Sequence, residues 1–307
     1  MTLPQAGVCP LTSARRRMKE GDGKAAEASI SPALFVCFQQ LIYRESGIWL
    51  APHKTALLCG RLARRLQRFG CKSMTEYFTI VSRPDAVGER QQMLNCIATN
   101  ETRFFREQQH FDFLEHKLFP TWRREVESGK RPRRIRVWSA GCSTGQEPYS
   151  VAMLLLHSFK SPARWCMQIL ATDLSTHALE TAREALYPAT QVPDIPQHYL
   201  HGFMLRGMEE QRGWIKPSAE VRSLVTFRQL NLTGAEPPSS ELFDLIFCRN
   251  VMIYFDIESK HKAMVLLTQR LAPGGLLLIG HSENLHGMMP GLKTIVPTIY
   301  SYQRPCQ

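Results

Sequence analysis

Three stretches of this sequence place polar, chemically capable residues where short apolar runs end. The first reads Val137-Trp138-Ser139-Ala140-Gly141-Cys142-Ser143-Thr144-Gly145-Gln146-Glu147-Pro148-Tyr149-Ser150, a strand entering a glycine-containing turn and then an apolar helix. In an open parallel sheet, ligands sit beyond the carboxyl ends of the strands. There Gly141 permits close backbone approach and the helix start offers free N–H donors. A nucleotide-like cofactor is implied. The turn is not the phosphate-binding G-x-x-x-x-G-K-[ST] and lacks the third glycine of G-x-G-x-x-G, so nucleoside triphosphates and nicotinamide dinucleotides are disfavoured. Glu147 would repel phosphate and suits a cofactor with a cationic or hydroxyl-rich part. In the second stretch, Ala171-Thr172-Asp173, Asp173 ends a strand, where an acid can accept from both ribose hydroxyls or cap the following helix. The third is Phe247-Cys248-Arg249-Asn250-Val251-Met252-Ile253-Tyr254-Phe255, whose polar residues among apolar ones point to a lined pocket. The plainer readings are a core tyrosine for Tyr254 and a surface ion-pair residue for Arg249.

The elements that must position these residues follow from pattern. From Arg134 onward, Ile135–Trp138, Gln168–Ala171, Phe243–Phe247 and Gly275–Ile279 are short apolar strands separated by helical stretches. That alternation predicts an α/β fold, a doubly wound and mostly parallel sheet covered on both faces. Tyr199 to Leu230 breaks the alternation with Phe203–Leu205, Trp214–Lys216 and Leu224–Phe227, punctuated by Gly207, Gly213 and Pro217. Three strands of a small inserted antiparallel β-subdomain are predicted there, over about 199–230.

Ahead of the sheet, Ser31-Pro32 forms an N-cap and N1 pair, followed by Leu34, Phe35, Phe38, Leu41 and Ile42 at helical spacing. A second helix carries Leu57, Leu58, Leu62 and Leu66 on one stripe and Lys54, Arg61, Arg64, Arg65 and Arg68 on other sides, until Gly70 stops it. Its basic face is either simply solvated or a docking surface for an acidic partner. Further helices are expected around Met74–Ser82 and over Glu89–Thr99. The expected organisation is a flexible basic tail over 1–30, with Arg15, Arg16 and Arg17, an N-terminal all-helical domain over 31–99, and a larger domain over 100–307.

Composition narrows the class. At 307 residues and 44% hydrophobic content the chain can bury a full core and a second small one. No apolar run approaches the roughly 20 residues of a membrane span, and the basic start lacks a signal peptide's apolar stretch. A cytoplasmic protein is expected. Nine cysteines without CxxC or Cys/His spacing argue against a disulfide framework and a structural zinc site, and no metal is expected. The formal charge of +11 implies an anionic partner without saying which.

Five motifs in order resemble the chemotaxis receptor methyltransferase (CheR) family: Asn100-x-Thr102-x-Phe104-Phe105-Arg106, Ser143-Thr144-Gly145-x-Glu147-Pro148-Tyr149-Ser150, Ala171-Thr172-Asp173, Asn231-Leu232, and Cys248 to Phe255. The likeness extends from about Ser31 to Arg304. It implies a class I S-adenosylmethionine-dependent methyltransferase domain behind a helical domain. It implies cofactor contacts from Asn100, Thr102, Arg106, Glu147, Asp173, Asn231, Leu232, Cys248 and Arg249; the adjacent Asn250 and the turn residue Gly141 join them. Arg106 and Tyr254 would flank the transferred methyl group.

The implied reaction is attack by a glutamate carboxylate oxygen on the sulfonium methyl, giving a glutamyl methyl ester and S-adenosylhomocysteine. The implied partners are glutamate-rich cytoplasmic helices of chemoreceptors, met by Lys54, Arg61, Arg64, Arg65 and Arg68 of a monomeric enzyme. The inserted strands would tether a receptor's C-terminal tail by strand addition, although the Gly207–Gly213 turn reads Met-Glu-Glu-Gln-Arg without the intervening glycine of tail-binding members.

A nucleic-acid methyltransferase fits less well. Asn250-Val251-Met252-Ile253-Tyr254 is not the Asn/Asp-Pro-Pro-aromatic arrangement that holds a flipped base, and no aromatic stacking array accompanies the basic helix. The remaining alternatives are a different protein substrate or a non-catalytic signalling module.

Overall fold

The computed structural model describes residues 30–159, 165–234, 236–237, 239–285 and 287–303; the expected basic tail lies outside them. The chain divides into two units, one of residues up to Glu45 plus Leu50–Met93, the other of Ser46–Trp49 plus Leu94 onward.

The first unit is helical. α1 (Pro32–Ser46) starts as predicted, Ser31 Oγ accepting from Leu34 N at 3.2 Å. α2 (Thr55–Arg68) buries Leu58, Leu62 and Leu66 and ends at Gly70, whose φ of +63° lets Cys71 N reach back to Leu66 O at 2.9 Å. α3 (Met74–Val81) is capped by Ser73, and α4 (Val87–Ile97) carries the unit boundary.

One residue of the basic face does not project. Arg65 is buried and donates to both oxygens of Glu89, which also accepts from the Tyr77 hydroxyl at 2.6 Å. Arg65 is therefore withdrawn from the docking set. It lies three residues after Leu62 and one before Leu66, on the inward stripe, where a long side chain stays ionised only with a buried carboxylate to meet it. Lys54, Arg64 and Arg68 are exposed and Arg61 half-buried.

In the second unit α5 (Gln108–Phe113) runs through a π-helical turn, Leu114–Leu118, into α6 (Phe119–Glu127). Then come β1 (Arg134–Ala140), α7 (Gln146–Ser158), β2 (Cys166–Asp173) and α8 (Thr176–Glu184). After β3 (Tyr187–Pro188), α9 (Gln197–Phe203), β4 (Met204–Arg206), β5 (Trp214–Pro217) and α10 (Ala219–Ser223), the chain returns through β6 (Val225–Gln229). β7 (Phe243–Cys248), α11 (Ile257–Arg270), β8 (Leu271–Ile279), β9 (Leu292–Val296) and β10 (Ile299–Tyr302) complete it.

The large sheet has the order β6-β2-β1-β7-β8-β10-β9, its first five strands parallel and β10 antiparallel to both neighbours. The predicted doubly wound sheet is present. Chain direction across it reverses between β1 and β7, which opens a crevice beyond the carboxyl end of β1. α7 is buried over nearly its whole length, which explains its almost unbroken apolar run, Val151 to Leu156.

The small antiparallel sheet also exists, with a different membership from that predicted. Its order is β3-β5-β4, so it begins at Tyr187, and Leu224–Phe227 contributes β6 to the edge of the large sheet, parallel to β2. Phe203 ends a helix rather than starting a strand. Alternation in Leu224–Phe227 identifies a strand but carries no information about which sheet accepts it. In the turn between β4 and β5, Glu209 takes the left-handed conformation with φ +50° that a glycine adopts without strain.

The Arg65–Glu89 pair generates a contrast in stability. Glu89→Ala leaves a buried guanidinium uncompensated and is expected to cost on the order of 3 kcal/mol in urea unfolding of the helical unit. Arg64→Ala, on the exposed face, is expected to stay within about 0.5 kcal/mol.

Candidate active site

The turn after β1 is built around positive-φ residues. Gly141 (φ +83°) could not carry a side chain, because its Cβ would stand 2.3 Å from Val251 Cγ2. Gly145 (φ +96°) opens α7 in a similarly filled space, 2.9 Å from Ala182 Cβ and the Tyr187 hydroxyl. Both glycines of the motif thus meet protein atoms, and the backbone of Gly141 and Cys142 is fixed by N–H donation to Thr172 O at 2.8 and 2.9 Å.

Asp173 ends β2, where it was expected. One carboxylate oxygen accepts from Ser143 N at 2.7 Å and the other from Ser175 N at 2.8 Å. Burial pushes its carboxyl up, against the pull of the Ser175, Ser143 and Leu174 N–H groups. Each oxygen keeps lone-pair capacity for a hydroxyl. Ser143 Oγ in turn donates to Asn100 O at 2.9 Å, bringing the Asn100 segment to this turn. Asn231 and the buried Leu232 follow β6 on the same side of the sheet; Asn231 Oδ1 accepts from Thr233 N and Oγ1.

At the mouth of β7, Cys248 is buried and Arg249 almost fully so, with 2% of its side chain exposed. Arg249 Nε stands 3.3 Å from Glu107 Oε2 and 3.6 Å from Glu147 Oε2, and its Nη2 donates to Arg106 O. Glu147 also accepts from Ser139 Oγ at 2.6 Å. The two carboxylates are not equivalent. Burial raises Glu147, opposed by Arg249 and Ser139 and reinforced by Glu107. Burial would raise Glu107 too, but Arg249 and the His281 N–H, at 3.1 Å, bring it below its ordinary value.

Arg106 is half-buried and donates from Nη1 to Glu101 O at 3.2 Å; Thr102 lies half-buried between Asn100 and Arg106. Tyr254 closes the helical turn Met252–Tyr254 and is also half-buried. Its carbonyl accepts from Trp49 N at 2.9 Å, beside the Ile48–Phe255 bridge. The same short segment brings Gly47 so close to Thr233 that a Cβ would lie 2.4 Å from Cγ2. Ser46–Trp49 therefore belongs to this site, which the sequence reading missed.

It also missed Glu107, His110, Ser139 and Glu283. Glu107 (φ +59°) immediately follows Arg106, and an acid adjoining that arginine was the available signal. Glu107, His110 and His281 present nitrogen and oxygen atoms all within 4.8 Å of one another. A cation there would share Glu107 Oε2 with the Arg249 guanidinium, so the group is better described as part of the charge network.

The arrangement fits S-adenosylmethionine rather than a nucleotide phosphate. Two carboxylates serve this edge of the sheet: Asp173, at the end of β2, has spare acceptor capacity, and Glu147, in the first turn of α7 and bonded back to Ser139 of β1, lacks full compensation of its charge. A cationic, hydroxyl-rich molecule satisfies both, and a phosphate neither.

His110 supplies a pH test. Burial, with the Arg249 charge, lowers its pKa to about 3, against the opposing pull of Glu107. The unfolded chain therefore binds this proton at a higher pH than the folded one. Stability should fall as pH drops from about 6.5 towards 3, by up to about 1.4 kcal/mol per pH unit from this group. Urea unfolding at pH 7 and pH 5, read for wild type and His110→Asn, should show a shallower loss in the variant.

Comparison with known proteins agrees with this geometry. Residues 33–98 match the family described as CheR methyltransferase, all-alpha domain, and residues 100–300 the family described as CheR methyltransferase, SAM binding domain. The chain is 39% identical over 270 residues to chemotaxis protein methyltransferase 2 of Pseudomonas aeruginosa, covering 86% of this chain and 92% of that protein. It is 36% identical over 262 residues to the chemotaxis protein methyltransferase of Borreliella burgdorferi, covering 85% and 91%, and 35% identical over 277 residues to that of Escherichia coli, covering 90% and 93%. The chain therefore belongs to the CheR family and is an S-adenosylmethionine-dependent methyltransferase of chemotaxis.

Proposed function

We propose that the chain methylates glutamate side chains on chemoreceptors, forming glutamyl methyl esters during sensory adaptation in the cytoplasm. The observation that carries this reading is the tie from the buried Arg249 to Arg106 O and Glu147, which links both halves of a methyl-transfer site. The cofactor, when bound, supplies an activated methyl group. Asp173 takes its ribose hydroxyls and Glu147 its cationic part, while Asn100, Thr102, Gly141, Asn231, Leu232, Cys248 and Asn250 line the remainder.

The task left to the protein is placement. A glutamate is already ionised at neutral pH, with a reference pKa of about 4.3, so no strong base is needed. Arg106 orients the incoming carboxylate through its planar fork, and the Tyr254 hydroxyl donates to it; correct positioning of reactants can supply about 7–11 kcal/mol in favourable cases. Lys54, Arg61, Arg64 and Arg68 steer glutamate-rich receptor helices. That no described helix is long and apolar enough to cross a membrane suits an enzyme that visits its receptors by charge.

Labelled methyl transfer to membranes carrying the host's chemoreceptors, followed by alkaline release, tests the reading. Base-labile label on receptor glutamates is expected, and its loss in Arg106→Ala. Tyr254→Phe should lower kcat about tenfold, the value of one hydrogen bond, with S-adenosylhomocysteine affinity unchanged. Label that resists base, or that lands on another protein, would sink the glutamate assignment.

The docking surface is checked separately. The double variant Arg64→Glu/Arg68→Glu should raise the KM for receptor several-fold at low salt, with the gap to wild type closing near 0.5 M salt and kcat preserved. An equal KM at both salt concentrations would remove these residues from docking.

A further inference from the structure

Glu283 has no part in the reaction as described, yet it is buried at the carboxyl edge of the sheet. Its carboxylate accepts four backbone N–H bonds: Asn250 at 2.9 Å and Gly280 at 2.7 Å on Oε2, Val251 at 3.0 Å and Met252 at 2.8 Å on Oε1. Three of these donors are consecutive. Successive N–H groups converging on one point make a concave anion site of the kind that elsewhere receives phosphate or carboxylate ligands. Here the chain fills it with its own side chain.

The reason such a clamp is needed lies in the loop. Asn250 has φ +60°, the left-handed conformation that asparagine adopts more readily than most residues with a side chain, and it turns the chain sharply there. Because β7 and β8 are paired through Cys248 and Ile279, the residues leaving the two strands stay adjacent. Gly280 lets them close. A Cβ on it would stand 2.6 Å from Asn250 Nδ2 and 2.9 Å from both Asn250 N and Glu283 Oε2. The clamped segment runs from Arg249, which holds Arg106 and Glu147, to the helical turn that ends in Tyr254. Its middle residue, Val251, fills the space against Gly141.

We infer that Glu283 is a positioning residue for methyl transfer, acting through the backbone of Asn250, Val251 and Met252 to place Tyr254 relative to Arg249. The inference rests on the reading of Tyr254 given under the proposed function. Glu283→Gln replaces one acceptor oxygen by an amide that faces N–H donors, so two of the four bonds are lost and the loop relaxes.

The test is a double-mutant cycle of Glu283→Gln and Tyr254→Phe, with kcat, KM and S-adenosylhomocysteine affinity measured for each, and the Tyr254 ring followed by NMR in tyrosine-labelled protein. Glu283→Gln should lower kcat about thirtyfold, raise the S-adenosylhomocysteine Kd less than threefold and shift the Tyr254 resonances. In the Tyr254→Phe background its effect on kcat should shrink to a few-fold, since both changes act through one group. A generally weakened fold would instead lower kcat equally in both backgrounds.

Unchanged Tyr254 resonances, or a full loss of kcat retained without the Tyr254 hydroxyl, would overturn the inference. The NMR readout needs no substrate, so a failure of receptor methylation in the wild type would count against the proposed function and leave this test intact. Should Glu283→Gln not fold, Glu283→Asp, which keeps the charge and withdraws the carboxylate by one methylene, must show the same pattern, and wild-type kcat and resonances in it would be equally fatal.

Discussion

The buried guanidinium of Arg249 is the constraint on which the site depends. A charge with 2% of its side chain exposed holds its ionised form only if carboxylates and carbonyls replace the water it has lost. Glu107, Glu147 and Arg106 O are those replacements; they arrive from two places in the chain, the segment before α5 and the start of α7, and meet the residue that follows β7. Satisfying one arginine therefore fixes the relative placement of three elements. It also accounts for backbone that would otherwise be unfavourable. Phe105 (φ +46°) and Glu107 (φ +59°) bracket Arg106, and the segment is held by Phe105 N donating to Ser150 Oγ at 3.0 Å and by Phe105 stacking on Tyr199 at 4.7 Å.

The parallel sheet supplies what the arginine cannot. Strand ends that point the same way expose several chain turns along a single edge, so residues far apart in sequence converge there without long side chains. Gly141 and Gly145 keep the turn after β1 low enough to sit under Val251 and against α8, which is why small residues occupy a place where larger ones would add contact area.

Much of this was legible in the sequence because it is written in local pattern. Period-2 and continuous apolar runs gave the strands, Ser31-Pro32 and Gly70 gave helix ends, Asp173 stood out as an acid ending an apolar segment, and Glu147 as an acid beside a glycine-containing turn. What could not be read was non-local. Arg65 and Arg64 are neighbours of one type; helical spacing puts Arg65 on the stripe of Leu58 and Leu62, but the Glu89 that meets it there comes from a later helix and leaves no mark in the local pattern. Leu224–Phe227 was identifiable as a strand while its partner, β2, was not. Ser46–Trp49 and Glu283 act through backbone groups of distant segments, an interaction that leaves no residue-type signature at the receiving end.

The two carboxylates beside Arg249 differ in how well that one cation serves them. Glu107 is nearer to the guanidinium, at 3.3 Å against 3.6 Å for Glu147, and has the His281 N–H as well. Its charge is stabilised below the ordinary carboxylate range, whereas burial pushes Glu147 up and Glu107's own charge pushes it further. Shared attraction to one cation is thus divided unequally. The residue left with the deficit is the one at the mouth of the cofactor turn, where Ser139 alone adds a direct hydrogen bond. A cationic group placed there would relieve Glu147 without taking an interaction from Glu107.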